Sequence, residues 1–253
     1  MRLEGLRAIA DCGAWYAALR SSALMDYLER ELGDHSCTRV RTRVVFSAVG
    51  DASRTLSAQA TPIASVRAGA TSFRWAWAAG TDDTPTNLGG AGLRRTGELL
   101  GLPELRAPEI ALEGSGDVDL IAATIAAVAV QATGLGPAWC VETDGGREIV
   151  LLAGLPVPEP GFRDFVDALP HLIDSVPVAD HRVAISGLAA RSGWHLAWQA
   201  GAGTTSSCIV SHDDHRVTLA FDGDGHPVGP PAAMSTKGRS LPTTPPTAAC
   251  CHR

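Results

Sequence analysis

The tightest group of ligand-type side chains in the chain is His212-Asp213-Asp214-His215. Two imidazoles three residues apart, with carboxylates between them, are the donor types that hold Zn²⁺ or another divalent ion. His195 or His226 would complete the shell from a neighbouring strand. Seven of the eight histidines fall after residue 170, so imidazole chemistry is concentrated in the second half. The spacing argues against a ready-made site. Residues i and i+3 share a face on a helix, whereas this group lies between two strand candidates, where a polar turn is expected anyway. A divalent metal in a metal-dependent enzyme is one alternative, a solvated hairpin turn is the simpler one, and no other cofactor is expected.

Other reactive patterns are thinner. Asp222-Gly223-Asp224-Gly225 has the oxygens of a calcium loop but no closing glutamate, because none follows it in the chain. Its glycines suit a tight turn. There is no Gly-x-Ser-x-Gly and no phosphate loop. The six cysteines are scattered, with no Cys-x-x-Cys, which fits reduced thiols in a cytoplasm.

Two groups of residues could bind rather than react. Arg39, Arg41 and Arg43 alternate along an extended stretch, and Arg74 would extend the stripe from a neighbouring strand. Such a stripe suits an anionic ligand or an acidic protein surface. It is also how the solvated side of a sheet looks. Trp75 and Trp77 would line an apolar pocket or fill the core.

The elements that must position these residues read as α+β. Residues 3–32 form a helix in one piece or two, with Gly13 either interrupting it or permitting close packing. Residues 38–48 alternate as one strand, with Val40, Thr42, Val44 and Phe46 inward and the arginines outward. Residues 54–67 are a second extended run, where Pro62 demands an edge or a bulge. The aromatic strand 71–78 follows, with Phe73, Trp75 and Trp77 on one face. A helix over 94–100, an alanine-rich helix between Asp117 and Gly134, and a hairpin over 139–153 complete an antiparallel sheet packed against helices, ending near 154. Leu155 to Gly161, with three alternating prolines, is a stiff connector and the best domain boundary. A smaller α+β unit spans 161–227. It has a helix over 162–173, which Pro170 kinks or ends early, and short strands at 183–187, 193–199, 207–212 and 217–221. Residues 228–253 read as a disordered tail. Trp194-x-Leu196-x-Trp198 echoes the spacing of Phe73-x-Trp75-x-Trp77, which suggests two strands with the same packing task.

The totals narrow the function classes. A 253-residue chain suits one large domain or two small ones. Its net charge of −6 and lack of a long basic run exclude nucleic acid as an expected partner. All basic residues but Lys237 are arginine, a skew that belongs to a G+C-rich genome rather than to a function. Residues 120–141 carry no charge, yet the apolar part, Leu120 to Val130, is too short to span a bilayer. Met1-Arg2-Leu3-Glu4 leads into an amphipathic helix rather than a signal peptide. A cytoplasmic protein is expected, without a membrane partner.

The first half resembles an uncharacterised actinobacterial domain family over about residues 14–155. The resemblance rests on the helix before Gly33, Phe46, the run Gln59 to Val66, and Trp75-Ala76-Trp77-Ala78. It continues through Leu93-Arg94-Arg95-Thr96-Gly97-Glu98 and Gly101-Leu102. It implies a relative and no activity. Three functions remain: a non-catalytic binding module that meets another protein through the arginine-bearing sheet face, the metal-dependent enzyme, and a small-molecule carrier with its ligand against Trp75 and Trp77.

Overall fold

The structure, a computed structural model, describes residues 4–67, 69, 71–79, 88–112, 117–201, 205–229 and 231–235. The class is α+β. The chain opens with a long helix, α1 (Glu4–Leu32). Five antiparallel strands follow in sheet order: β1 (His35–Val40), β2 (Arg43–Ala48), β3 (Asp51–Arg67), β4 (Ser72–Trp75) and β5 (Glu109–Ala111). β6 (Ala138–Thr143) and β7 (Gly146–Ala153) form a hairpin that joins this sheet through β3. Helices α2 (Leu88–Leu100) and α3 (Pro103–Arg106) come between β4 and β5, and α4 (Val118–Thr133) between β5 and β6. The second half holds α5 (Phe162–Ser175), α6 (His181–Ser192) and a sheet of β8 (His195–Ala200), β9 (Ser206–His212), β10 (His215–Phe221) and β11 (Ala232–Ser235). Its strand order is β11-β10-β9-β8.

α1 buries apolar side chains on more than one face and leaves Arg7, Asp26, Glu29 and Arg30 to solvent. It feeds three clusters of buried side chains. Leu6, Ala10, Ala14 and Ala17 join the core under β3, β4 and α4. Trp15 and Leu19 join the core of α5, α6 and the smaller sheet. Leu24, Tyr27, Leu28 and Leu32 join the third, against β2, β3 and β7. The helix runs unbroken through Gly13, and packing is what that glycine serves. A Cβ there would overlap the Ala127 carbonyl oxygen of α4. Across the helix, a Cβ at Gly187 of α6 would overlap the Cys12 carbonyl oxygen. Backbone therefore meets backbone on both sides of one turn of α1.

The structure departs from several sequence expectations. The stretch 38–48 is a hairpin rather than one strand, with Val40 paired to Arg43 around Arg41-Thr42. Arg41 supplies the left-handed turn residue at φ 53°. Asparagine or glycine usually marks such a turn, so arginine there hid it. The aromatic strand stops at Trp75. A 3-10 turn, Ala76–Ala79, carries Trp77 out of it, fastened by Arg74 Nη2 donating to the Ala78 carbonyl at 2.8 Å. Residues 183–187 belong to α6 and not to a strand. Val183 and Ile185 mimic alternation, but Ala184, Ile185, Leu188 and Ala189 are buried at helical spacing. Asp180 caps that helix by accepting from the Arg182 amide at 2.9 Å, and Gly193 ends it at φ 69°.

α5 passes through Pro170 to Ser175, held by the buried side chains of Phe162, Phe165, Leu169 and Leu172. Part of the expected tail is ordered: β11 pairs with β10 from Thr218↔Ala232 to His215↔Ser235. Residues 236–253 lie outside the described residues. The tryptophan echo does not carry one packing task, since Trp194 is buried and Trp198 is 43% exposed. Of the edge position or bulge expected at Pro62, the structure has the bulge, as a register shift between Pro62 and Ala64 against β7.

The close approach at α1 has a measurable consequence. Gly13→Ala and Gly187→Ala should each cost about 1–3 kcal/mol through overpacking. Gly145→Ala, where nothing lies within 4 Å of the new Cβ, should cost far less. Urea-unfolding midpoints of the three variants check this; equal midpoints would remove the claim.

Candidate functional site

The arginine stripe does not survive folding as a surface. Arg39, on β1, shares the face of Cys37 and Val44, which is the core face at that edge. It reaches Glu148 at 3.5 Å. Arg41 sits in the turn and gives its backbone carbonyl to Arg39 Nε at 2.7 Å. Arg43, on β2, lies on the opposite face and donates to Ser57 Oγ at 2.6 Å. The two-residue turn is the reason, because it breaks the alternation that one strand would have kept. Arg74 is exposed on β4 and turned onto its own chain.

The tryptophan pocket is a packed core. Trp75 is fully buried, its ring edge-on to Phe73 at 5.0 Å. Its indole N–H donates to the Glu104 carbonyl at 2.8 Å, so ring and polar atom are both satisfied by protein. Trp77 is half-buried with the Arg94 guanidinium over its ring at 5.9 Å.

The histidines divide between two ends of the smaller sheet. His212 and His215 pair across the β9–β10 turn, and His195 starts β8 at the same end, opposite Ser211. His226 lies at the other end, after the Asp222 turn, with its ring 5.9 Å from that of His181. Among the described residues, no three His, Cys, Asp or Glu side chains are grouped to hold a metal ion. Cys208 is buried, which pushes its thiol up to about 12 and makes it a poor nucleophile.

A cleft that the sequence did not announce lies between α1 and α4, closed on one side by the segment Ser175 to Val178 that joins α5 to α6. Its volume is about 600 Å³. Alanines make it. Ala10, Ala14, Ala17 and Ala18 recur at helical spacing on α1, and Ala123, Ala126 and Ala127 face them from α4. Helices that meet through methyl groups pack closely at the contact and leave the flanks unfilled. The floor is apolar, with Ile121 beside the alanines, and the exposed rim carries Arg7, Asp117 and Leu120. These repeats were the available signal, and helix composition alone does not say which two helices will face each other.

One charged group belongs to the floor. Asp11 is only 6% exposed. Burial pushes its carboxyl above the ordinary carboxylate value, while the amides of Ala179 and Asp180 and the nearby Arg7 pull it back. Both Asp11 oxygens accept from the Ala179 amide at 3.2 Å, and Oδ2 also accepts from Asp180 at 3.2 Å. The carboxyl thus ties the cleft wall to the start of α6. Beyond it, His181 is buried between the rings of Trp15, at 5.7 Å, and His226. Arg182 neutralises Asp180 through bonds from Nε at 2.9 Å and Nη2 at 2.8 Å. Burial opposes ionisation of Asp180, but those bonds outweigh it and hold the carboxyl low.

Residues 7–155 match the model of a family of unknown function (DUF6882). No curated protein and no solved structure matches the chain. Among the described residues no helix is long and apolar enough to cross a membrane.

His181 makes the junction sensitive to acid. Burial first, then the neighbouring His226, pushes its pKa below the usual 6.5. The unfolded chain therefore binds the proton more readily, so stability is undiminished above pH 6.5 and is lost as the pH falls from there through the lower pKa of the folded state. Unfolding midpoints should fall between pH 7.5 and 5.5 in the wild type and fall less in His181→Phe. Equal slopes would show that His181 is not the group responsible.

Proposed function

We propose that this chain, which belongs to the family of unknown function whose model it matches, is a binding module whose ligand lies in the cleft between α1 and α4. The ligand class is a small molecule with an apolar body and one polar end. The observation that carries the reading is the cleft itself. A volume of about 600 Å³ is the size of small-molecule sites, which are mostly apolar with few polar anchors. Here the alanine floor takes the apolar body, and Arg7 and Asp117 on the rim offer opposite charges to a polar end. Asp11 supports a binding role over proton transfer, because both its oxygens are already held by backbone amides.

Filling the cleft from its more open positions tests this. Ala18→Leu with Ala123→Leu adds bulk at half-buried and exposed lining positions and should leave the fold intact by circular dichroism. Titration with anilinonaphthalene sulfonate should show at least about tenfold weaker binding in the variant, or about 1.4 kcal/mol. Native mass spectrometry of protein isolated from its own host should show a small-molecule adduct that the filled variant loses. Undiminished probe binding, or an adduct retained by the filled variant, would overturn the reading.

A further inference from the structure

Among the described residues, β8 pairs only with β9, in an unbroken register from His195↔Ser211 to Ala200↔Ser206. Its other side is a sheet edge, a row of backbone N–H and C=O groups open to a further strand. Proteins usually guard such edges with a charge, a proline, a bulge or a very short strand. Three other outer strands among the described residues are guarded. β1 turns Arg39 inward, where it meets Glu148 at 3.5 Å. β5 has three residues and begins with Glu109, and β11 has four. β8 has six residues, His-Leu-Ala-Trp-Gln-Ala, with no Asp, Glu, Lys, Arg or Pro.

Trp198 adds an independent observation. It lies opposite Cys208, which lies opposite Leu219, so it stands at the end of a core row. Its ring is 5.7 Å from that of Phe221. Unlike Cys208 and Leu219, which are buried, Trp198 is 43% exposed. The row stops with a large ring half-covered, at the edge where another strand would continue it.

We propose that β8 is a homodimer interface, in which two copies pair their β8 strands antiparallel about a twofold axis and merge their four-stranded sheets into one. The strand suits a second copy of itself. It bears no fixed charge, so self-pairing places no like charges opposite each other, and a twofold joint needs a self-complementary patch. With the axis perpendicular to the sheet, Leu196, Trp198 and Ala200 of both copies share the core face, and the two Trp198 rings cover each other. This interface is separate from the α1–α4 cleft, and either can fail without the other.

Sedimentation velocity on the full chain should report twice the monomer mass. Ala197→Lys with Gln199→Lys places charges on β8 and away from the Trp198 face. That variant should sediment as a monomer with wild-type circular dichroism. Ser36→Lys with Thr38→Lys on β1 should remain dimeric. Should the β8 variant fail to fold, hydrogen exchange of the wild type decides instead: β8 amides should gain protection as protein concentration rises. A monomeric wild type, a dimer that survives the β8 lysines, concentration-independent exchange in β8, or a different chain found seated on β8 would each overturn the proposal.

Discussion

The fold depends on the approach of three backbones at the turn of α1 containing Cys12 and Gly13. Ala127 of α4 touches one side and Gly187 of α6 the other, at distances that leave no room for a Cβ. Packing at that density is available only where side chains are absent or small. Once α4 and α6 are seated there, the rest of α1 is committed. Trp15 and Leu19 must point into the second half, and Leu24, Leu28 and Leu32 into the far end of the first sheet. One helix thus belongs to three cores, and α5, α6 and the smaller sheet are built partly on Trp15 and Leu19 of that helix.

Polar contacts fix the same arrangement from outside the core. The side chain of Arg20 is nearly buried, and a guanidinium in that position needs acceptors for its donors. It finds the Pro158 carbonyl at 2.9 Å, the Gly136 carbonyl at 3.1 Å and Glu159 at 3.0 Å. Tyr16 donates to Glu159 at 2.6 Å. The proline-rich connector is therefore fastened to α1 along its middle. Asp11 does the equivalent for the α5–α6 junction, one carboxyl accepting from two consecutive amides. These two buried charges stand on the helix that carries the apolar cores, so apolar and polar links hold the two halves at the same element.

The cleft is a by-product of the same choice of small residues. Alanines that let α1 and α4 approach cannot fill the space beside the contact, and the tethered Ser175 to Val178 segment walls it rather than entering it. The other binding surfaces suggested by residue type disperse on folding. Arginines that alternate in sequence separate to opposite faces of a hairpin, and the aromatic pair splits into a buried Trp75 and a Trp77 on a 3-10 turn.

What the sequence determined by itself was local. Apolar periodicity over α1, the capped alanine helix after Asp117, the hairpin over 139–153 and the irregularity demanded by Pro62 all follow from neighbours within a few residues. Such preferences act before any tertiary contact forms. The matched stretch also identified a relative, without a role attached. The tertiary structure alone decided the rest, because each missed feature rests on a distant partner or an unusual local residue. Arg41 takes a left-handed turn that its own chemistry disfavours. The α6 residues reveal their helical face only against Trp15 and Phe165. Gly187 reads as a strand end until the Cys12 carbonyl stands beside it. Asp11 reads as an ordinary helix carboxylate until two amides 168 and 169 residues away reach it. Contacts at such separation leave no trace in local pattern, and the candidate site is made almost entirely of them.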